Sequence, residues 1–312
     1  MIQRRFLRLK KADRRFFAVD ILYIIGMIVP IICAIVTSVL TSPPTEGVEV
    51  TGPLIFFTIP MPLQSLPITE SQINSWLVMI TIFFLCLYLT HGIKERPYLR
   101  RQHLAEMIVE KSRAMVNDSM GEYFKAYAPF IASIIALSAF SSLLSLFGLF
   151  PPTSDLNVVA GWAILVFILI TYYRAKCGPL NYLKSFGDPV PLLAPLNIIS
   201  EVATPVSMAF RHYGNVLSGT AISVLLATAL QGLSALVLGR APGFIAEIPL
   251  FRVGIPAVLS IYFDVFSGCL QAYIFAMLTM LYVSGAFNID LYEKIRAKRK
   301  LKNNKKQVTE EN

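Results

Sequence analysis

The sequence predicts an all-α polytopic membrane protein, and its composition and the length of its apolar runs are the observations that predict it. Of its 312 residues, 55% are hydrophobic and only 15% are charged, whereas a soluble domain carries about 25% charged residues. Several apolar runs reach the roughly 18–20 residues that cross the hydrocarbon core of a bilayer. One helical bundle can hold the whole chain, so we expect no separate soluble domain.

The first predicted element is a transmembrane helix over residues 16–40. Residues 1–15 contain seven Lys or Arg, and the apolar run that follows contains one charged residue, Asp20. This run is long for a signal peptide, and no small-x-small cleavage pattern follows it. We therefore expect a retained helix with a cytoplasmic N-terminus.

A loop without Lys or Arg follows, from Thr41 to Ser75, and the positive-inside rule places it outside. Its prolines and glycines exclude a long regular element, and residues 76–90 then cross back. Residues 94–113 hold six basic residues, and their apolar residues fall near one helical face. This pattern predicts an amphipathic helix on the inner leaflet.

Two further crossings form a predicted transmembrane hairpin. Residues 128–150 cross outwards, Pro151 and Pro152 make a tight turn, and residues 156–173 return. Asp155 can cap the second of these helices. The basic residues that follow predict a short cytoplasmic loop.

Two segments are longer than a single crossing requires. Residues 189–239 and 253–289 comprise 51 and 37 residues. As one helix, the first would span about 75 Å at 1.5 Å per residue, against roughly 30 Å of hydrocarbon. Each segment either breaks into two crossings or lies strongly tilted. The basic tail from Lys294 to Lys306 predicts a cytoplasmic C-terminus, so the number of crossings is even, and the sequence alone does not choose between the two solutions.

The first long segment carries a polar stripe centred on an arginine. Ser207, Arg211, Asn215 and Ser218 recur at i, i+4, i+8 and i+11, so they share one helical face. A charge at the bilayer centre costs at least about 2.5–3.5 kcal/mol, and a guanidinium cannot lose its proton. We therefore expect Arg211 to face a negative partner or a water-filled cavity. The alternative is a structural arginine that a neighbouring helix neutralises.

The second long segment carries a matching stripe around a carboxylate. Ser260, Asp264, Ser267 or Gly268, and Gln271 recur at i, i+4, i+7 or i+8, and i+11. Facing stripes, one cationic and one titratable, suggest an ion path. The alternative is a simple ion pair between Arg211 and Asp264, which would leave Glu201, Asn215, Gln271 and the serines unexplained.

Other kinds of chemistry have little support in the sequence. The cysteines, Cys33, Cys86, Cys177 and Cys269, show no metal or redox spacing, so we expect neither metal nor cofactor. The net charge of +9 comes from blocks beside apolar runs, as in cytoplasmic loops, and does not suggest nucleic acid. Without a catalytic triad order or a phosphate-binding loop, we expect no nucleotide chemistry on this chain.

Two motifs resemble a known family. Residues 205–215, PVSMAFRHYGN, resemble the signature of subunit a of the F-type ATP synthase, and residues 270–286, LQAYIFAMLTMLYVSGA, resemble its last membrane helix. Residues 152–158, PTSDLNV, are similar to its turn between two earlier helices. The resemblance covers roughly residues 70–292, and the arginine and glutamine motifs together are more specific than either alone.

The resemblance implies the stator subunit of the Fo sector, which couples proton or sodium ion flow to rotation of a c-ring. It also implies that the two long segments form two long, strongly tilted membrane helices. It implies that Arg211 faces the ring carboxylate, with Asn215 and Gln271 as polar support. Asp264 and Glu201 are then candidates for lining two aqueous half-channels. The remaining members of the stripes, Ser207, Ser218 and Ser267, would line the same path.

The chain departs from the family pattern in three places. Thr220 stands nine residues after the arginine, where many members carry a carboxylate or His, and Ser145 stands where an Asn is common. The helix over residues 16–40 is additional to the family core. We therefore expect a leader, extra helix and exterior loop over residues 1–72, a subunit a-like core over 73–292 and a basic tail over 293–312.

The implied partners are the c-ring subunits, the peripheral stalk b subunits, the rest of the ATP synthase and the lipid of a bacterial plasma membrane. Two other classes stay open. A stand-alone secondary transporter could use a midplane Arg–Asp site, although it would usually show two related halves, which this sequence lacks. A non-transporting membrane scaffold could use the same pair for packing alone.

Overall fold

A computed structural model describes residues 2–41, 52–62, 65–93, 100–179, 182–183, 186, 191–238, 258–259 and 261–297. Within them the chain forms α-helices with these bounds: α1 (Ile2–Thr41), α2 (Glu70–Thr90), α3 (Arg100–Met120), α4 (Ala128–Leu143), α5 (Leu156–Lys176), α6 (Ala194–Leu238) and α7 (Gly268–Gly285). Short 3-10 turns add Glu122–Tyr127, Leu144–Phe147, Pro152–Ser154 and Pro191–Leu193, and a π-helix covers Ile261–Ser267. Residues 289–297 are also helical.

Six helical segments of the described chain are long and apolar enough to cross a membrane. They include residues 17–40 and 191–234, so the prediction of an all-α polytopic membrane protein is confirmed. Asp155 caps α5 as predicted, since its Oδ1 accepts a hydrogen bond of 2.9 Å from the backbone N–H of Asn157.

The segment that we predicted as a loop, Thr41 to Ser75, contains regular structure in its described part. Strands β1 (Ile55–Ile59) and β2 (Leu66–Thr69) pair antiparallel. Helix α2 begins at Glu70 and not at Trp76, so the predicted boundary was wrong. The polar first turns of α2 are helical because distant groups satisfy them: Ser71 donates to the Asp155 carboxylate, and Asn74 Nδ2 donates to the Phe150 carbonyl at 2.8 Å.

Helices α2, α4 and α5 run alternately between two ends of a bundle. The hairpin end comprises β1, β2, the start of α2 and residues 148–155. The basic end comprises the end of α2, the start of α3, residues 122–127 and the end of α5, where Arg101, Lys125, Arg174 and Lys176 lie. Between these ends the core is apolar and aromatic, with Phe124, Ile131, Val166, Phe275 and Met280 almost fully buried.

Helix α7 is the central element of this core and packs against α4, α5 and α6. Gly268, at its start, lies so close to α4 that an added Cβ would come within 2.5 Å of the Cβ of Ser142. Real Cβ atoms do not approach this closely, so only glycine allows the two helices to meet at this point. The close approach holds the start of α7 near the hairpin end.

The first long segment forms one helix over its described part. α6 contains 45 residues and continues through Pro205, which is tolerated because neighbouring helices can satisfy freed backbone groups at membrane depth. At 1.5 Å per residue it is about 68 Å long, so it must tilt strongly to stay within roughly 30 Å of hydrocarbon. The second segment combines the π-helix with α7, and Ser260 lies outside the described residues.

Helix α1 is joined to the bundle by a cluster of charged side chains at the basic end. Asp20 Oδ1 lies 2.7 Å from Arg101 Nη1 and 2.8 Å from His91 Nδ1. The Arg101 guanidinium also donates to the His91 carbonyl at 3.0 Å. The cluster therefore ties α1 to the end of α2 and to α3.

Helix α3 matches the predicted amphipathic helix, although it runs from Arg100 to Met120 and so extends beyond the predicted end at Arg113. Residues 94–99 of the prediction lie outside the described residues. The position of α3 on the inner leaflet stays a prediction.

Candidate functional site

Arg211 is exposed on the surface of α6. It forms no ion pair or hydrogen bond with any residue that the structure describes. In particular, the alternative of a neutralising pair with Asp264 is not seen among these residues. The guanidinium is therefore presented outwards, on a helix that must pass through the membrane.

The rotation of α6 about its axis explains why Arg211 faces outwards. Met208, Ala209 and His212 are buried against the bundle, and these positions lie together on one helical face. Arg211 lies at the edge away from that face, near Ser207, which is also exposed. The apolar face on which α6 packs thus fixes the direction of the charge.

His212 is a polar group that stabilises the packing of α6 against the bundle. Its side chain is fully buried, and its Nε2 lies 3.2 Å from the hydroxyl Oγ of Ser138 on α4. Its ring meets those of Trp162 and Phe275 edge to face, with centroids 5.9 Å and 5.6 Å apart. The sequence motif contained His212, but its spacing gave no reason to expect this role, because its partners lie on three other helices.

In the described part of the chain, the two predicted polar stripes meet at a hydrogen bond. The hydroxyl of Ser267 donates to Oδ1 of Asn215 at 3.0 Å. One turn beyond Asn215, Gly219 packs against the Phe263 ring, and an added Cβ would lie 3.3 Å from that side chain. The π-helix before α7 therefore lies directly against α6 just beyond Arg211.

The other members of the second stripe take different positions. Asp264 is partly buried and interacts with the side chain of Ser145, the residue at which we noted a departure from the family pattern. Gln271 is buried on α7, one turn after Ser267. On the first stripe, Ser218 is exposed and does not join the Asn215–Ser267 contact.

Glu201 lies near the basic end in a polar cluster. Its Oε2 lies 2.8 Å from Arg174 Nη1, and its Oε1 accepts a hydrogen bond of 2.9 Å from the Tyr182 hydroxyl. Burial and this hydrogen bond raise the pKa of Tyr182 above its ordinary value. The sequence identified Glu201 but not its partners, because they precede it by 27 and 19 residues on other elements.

Two cavities flank this region. One, of about 520 Å³, is lined at the basic end by Arg174, Tyr182, Asn197 and Glu201 among others. The second, of about 720 Å³, lies towards the hairpin end, and Thr220 is part of its lining. Both are large enough for several water molecules.

Arg211 occupies the middle position between these cavities along α6. It follows Glu201 by ten residues and precedes Thr220 by nine, which places the two residues about 15 Å and 13.5 Å away along the helix axis at 1.5 Å per residue. The arrangement is a fixed exposed cation between two cavities that lie towards opposite ends of the bundle.

Comparisons with known proteins identify similar chains. Residues 72–284 match the family model described as ATP synthase A chain. The chain is 29% identical over 229 residues to "ATP synthase subunit a 1" of Crocosphaera subtropica, covering 72% of this chain and 90% of the relative. It is 31% identical over 227 residues to "ATP synthase subunit a 2" of Acaryochloris marina, covering 72% and 87%. A third relative, "ATP synthase subunit a, sodium ion specific" of Propionigenium modestum, is 28% identical over 269 residues, covering 76% and 86%.

Proposed function

The chain belongs to the ATP synthase A chain family, and we propose that it provides the two half-channels and the fixed arginine that couple ion flow to rotation of a c-ring. The observation that carries this proposal is the exposed Arg211, which has no partner among the described residues and lies between two cavities. A partner outside this chain is the simplest way to satisfy a permanent charge at membrane depth. A carboxylate of a neighbouring rotor has the required sign.

The mechanism follows from the cost of charge in lipid. A rotor carboxylate that faces hydrocarbon must be neutral, with a proton or another cation bound, because a bare anion there is too costly. Beside Arg211 the opposite charge favours the anion. The carboxylate therefore releases its cation on one side of Arg211 and takes up another on the other side.

The same guanidinium also prevents cations from crossing the membrane without rotation of the ring. A mobile cation cannot pass directly from one cavity to the other, because Arg211 repels it along α6. Each cation must leave by rotation of the ring, and the membrane potential supplies about 2.3 kcal/mol per elementary charge per 100 mV. Rotation and transport are then obligatorily coupled.

The remaining stripe residues have supporting roles in this proposal. The polar support next to Arg211 comes from Asn215, Ser267 and Gln271. Asp264 with Ser145 belongs to the route from the hairpin end, and Glu201 belongs to the route from the basic end. Ser207 and Ser218 lie on the exposed surface that would face the rotor.

The setting of the chain is part of the same proposal. The basic end faces the cytoplasm of a bacterial cell, both termini lie on that side of the plasma membrane, and residues 73–292 form the core that contacts the ring. The peripheral stalk b subunits hold this core still against the turning ring. The transported cation is a proton or a sodium ion, and the chain itself carries out no nucleotide chemistry.

Co-purification and cross-linking test this function together. A ring of small hairpin proteins should co-purify with the chain from membranes. In a cysteine-free background, Ser207→Cys on the exposed face of α6 should form a disulfide with a cysteine placed beside the ring carboxylate. Ile168→Cys is the matched control, because Ile168 is 60% exposed but lies on α5. A chain that purifies without a ring and transports ions alone would instead be a secondary transporter.

A further inference from the structure

The larger cavity is bounded partly by an element outside the family core. The family match begins at residue 72, yet Pro30, Cys33, Thr37 and Ser38 of α1 line this cavity. The other walls come from residues 52–56, the start of α2, residues 145–154 after α4, and α6. Without α1, one side of the cavity would be open to lipid.

The attachment of α1 supports this placement. At the basic end, Asp20 contacts both Arg101 and His91. Further along α1, Gly26 lies so close to α2 that an added Cβ would come within 2.8 Å of the Phe84 ring. The helix is therefore held against α2 at two levels below the cavity, and its last turns are positioned by these contacts.

The cavity holds one carboxylate among its described lining residues, that of Glu70. Glu70 is the first residue of α2, and it is partly buried. Thr220 also lines the cavity, and its side chain cannot ionise. A carboxylate that is partly shielded from water attracts a monovalent cation more strongly than one in bulk solvent.

The inner end of the cavity connects to the proposed ion route. Ser145 lines the cavity, and the same side chain interacts with Asp264. Asn74, which is buried, also lies on the cavity wall and donates to the Phe150 carbonyl at 2.8 Å. Oxygen and amide groups thus continue from Glu70 towards Asp264.

From this arrangement we infer that α1 forms one wall of the inlet at the hairpin end and that Glu70 gathers the monovalent cation there. This inference rests on the proposed function of the chain. Glu70 supplies the negative charge that Thr220 does not, and it passes the cation towards Ser145 and Asp264. The cation is a proton or a sodium ion.

Substitution of Glu70 tests the role of the carboxylate in the complete synthase. We expect Glu70→Gln to raise the cation concentration needed for half-maximal ATP synthesis several-fold, with a smaller effect on the maximal rate. ATP synthesis in vesicles is driven once by a pH gradient and once by a sodium gradient. The gradient that supports synthesis identifies the cation that Glu70 gathers. The control is Asp118→Asn, an exposed carboxylate on α3, and Glu70→Asp should restore most of the activity.

Cysteine labelling tests the wall independently of Glu70. In a cysteine-free background, Thr37→Cys should react with a membrane-impermeant cationic thiol reagent, and the reaction should inhibit synthesis. Val39→Cys is the matched control, because Val39 is 74% exposed on the same helix but does not line the cavity. If Glu70→Gln does not assemble, this labelling decides the question.

The outcomes separate this inference from the function on which it rests. If Arg211→Gln abolishes synthesis but Thr37→Cys behaves like Val39→Cys and Glu70→Gln behaves like Asp118→Asn, only the inlet is wrong. Labelling of Thr37→Cys without inhibition would also overturn it, because the cavity would then lie off the route. If Arg211→Gln keeps full synthesis, the proposed function itself fails.

Discussion

The hydroxyl of Ser267 donates a 3.0 Å hydrogen bond to Oδ1 of Asn215, and this bond joins the two polar stripes one turn beyond Arg211. It holds the π-helix against α6 close to the point where the Arg211 side chain projects from the bundle. π-Helical turns often occur at functional sites. The bond therefore ties the position of Arg211 to the segment that carries Asp264.

A double-mutant cycle measures this coupling. We expect Asn215→Leu and Ser267→Ala each to slow ATP synthesis, and the double variant to be less impaired than the two losses combined. Interhelical hydrogen bonds in membranes contribute roughly 0.6 kcal/mol, so each single loss should be a few-fold. Ser133→Ala is the control, because among the described residues the Ser133 hydroxyl donates to the Pro129 carbonyl of its own helix. Strictly additive effects would show that the two side chains do not act together.

Asp264 provides a second prediction. Asp264→Asn removes the charge beside Ser145 while keeping the shape, so we expect slower ion flux with normal assembly. Loss of a proton-transfer group typically reduces a rate by about 100-fold or more, although a sodium route would show a smaller loss. Passive cation flux through vesicles depleted of the catalytic sector measures this rate. Unchanged flux would count against a channel role for Asp264.

Alkaline pH probes the cluster at the basic end. Burial and the hydrogen bond to Glu201 raise the pKa of Tyr182 above its ordinary 10.0, so the folded protein holds this proton more tightly than the unfolded chain. The resulting stabilisation is present below pH 10.0 and is lost as the pH rises through the raised pKa. Half-inactivation temperatures from pH 8 to 11 should fall less steeply for Tyr182→Phe than for the native protein. Tyr273→Phe, on an exposed residue of α7, should follow the native curve.

The ion cluster on α1 gives a stability prediction. Asp20→Asn removes the carboxylate that contacts the Arg101 guanidinium, which is 11% exposed, and a hydrogen bond to a charged group contributes roughly 1.5–3 kcal/mol. We expect a lower half-inactivation temperature and faster proteolysis of α1. Glu122→Gln breaks the Lys125 pair, but both of its side chains are exposed, so it should change little. Equal effects of the two variants would show that the Asp20 cluster does not hold α1.

Much of the fold follows from local sequence patterns. Apolar runs identified the membrane helices, and Asp155 was correctly expected to cap α5, because both signals depend on neighbouring residues. The choice between one long helix and two crossings depends on contacts between residues that are far apart in the sequence. α6 continues through Pro205 because the rest of the bundle supports it, and no spacing in the sequence shows that support.

The predictions that were wrong or missing also depend on contacts between residues that are far apart in the sequence. The start of α2 was placed too late because Ser71 and Asn74 are polar, and their partners Asp155 and Phe150 are 84 and 76 residues away. Periodicity grouped the two polar stripes, but it could not show that Arg211 faces outwards while His212 faces inwards. That direction depends on Ser138, Trp162 and Phe275, which other helices supply.

The most direct test of the central claim is ATP synthesis driven by an imposed ion gradient in vesicles that contain the Arg211→Gln complex. We expect the ring to assemble normally but coupled synthesis to fall to background, because nothing then displaces the cation from the ring carboxylate or blocks direct passage. Arg211→Lys should also lose most synthesis, because a desolvated lysine can release its proton. Gradient-driven synthesis at the native rate with Arg211→Gln would show that Arg211 does not couple ion flow to rotation.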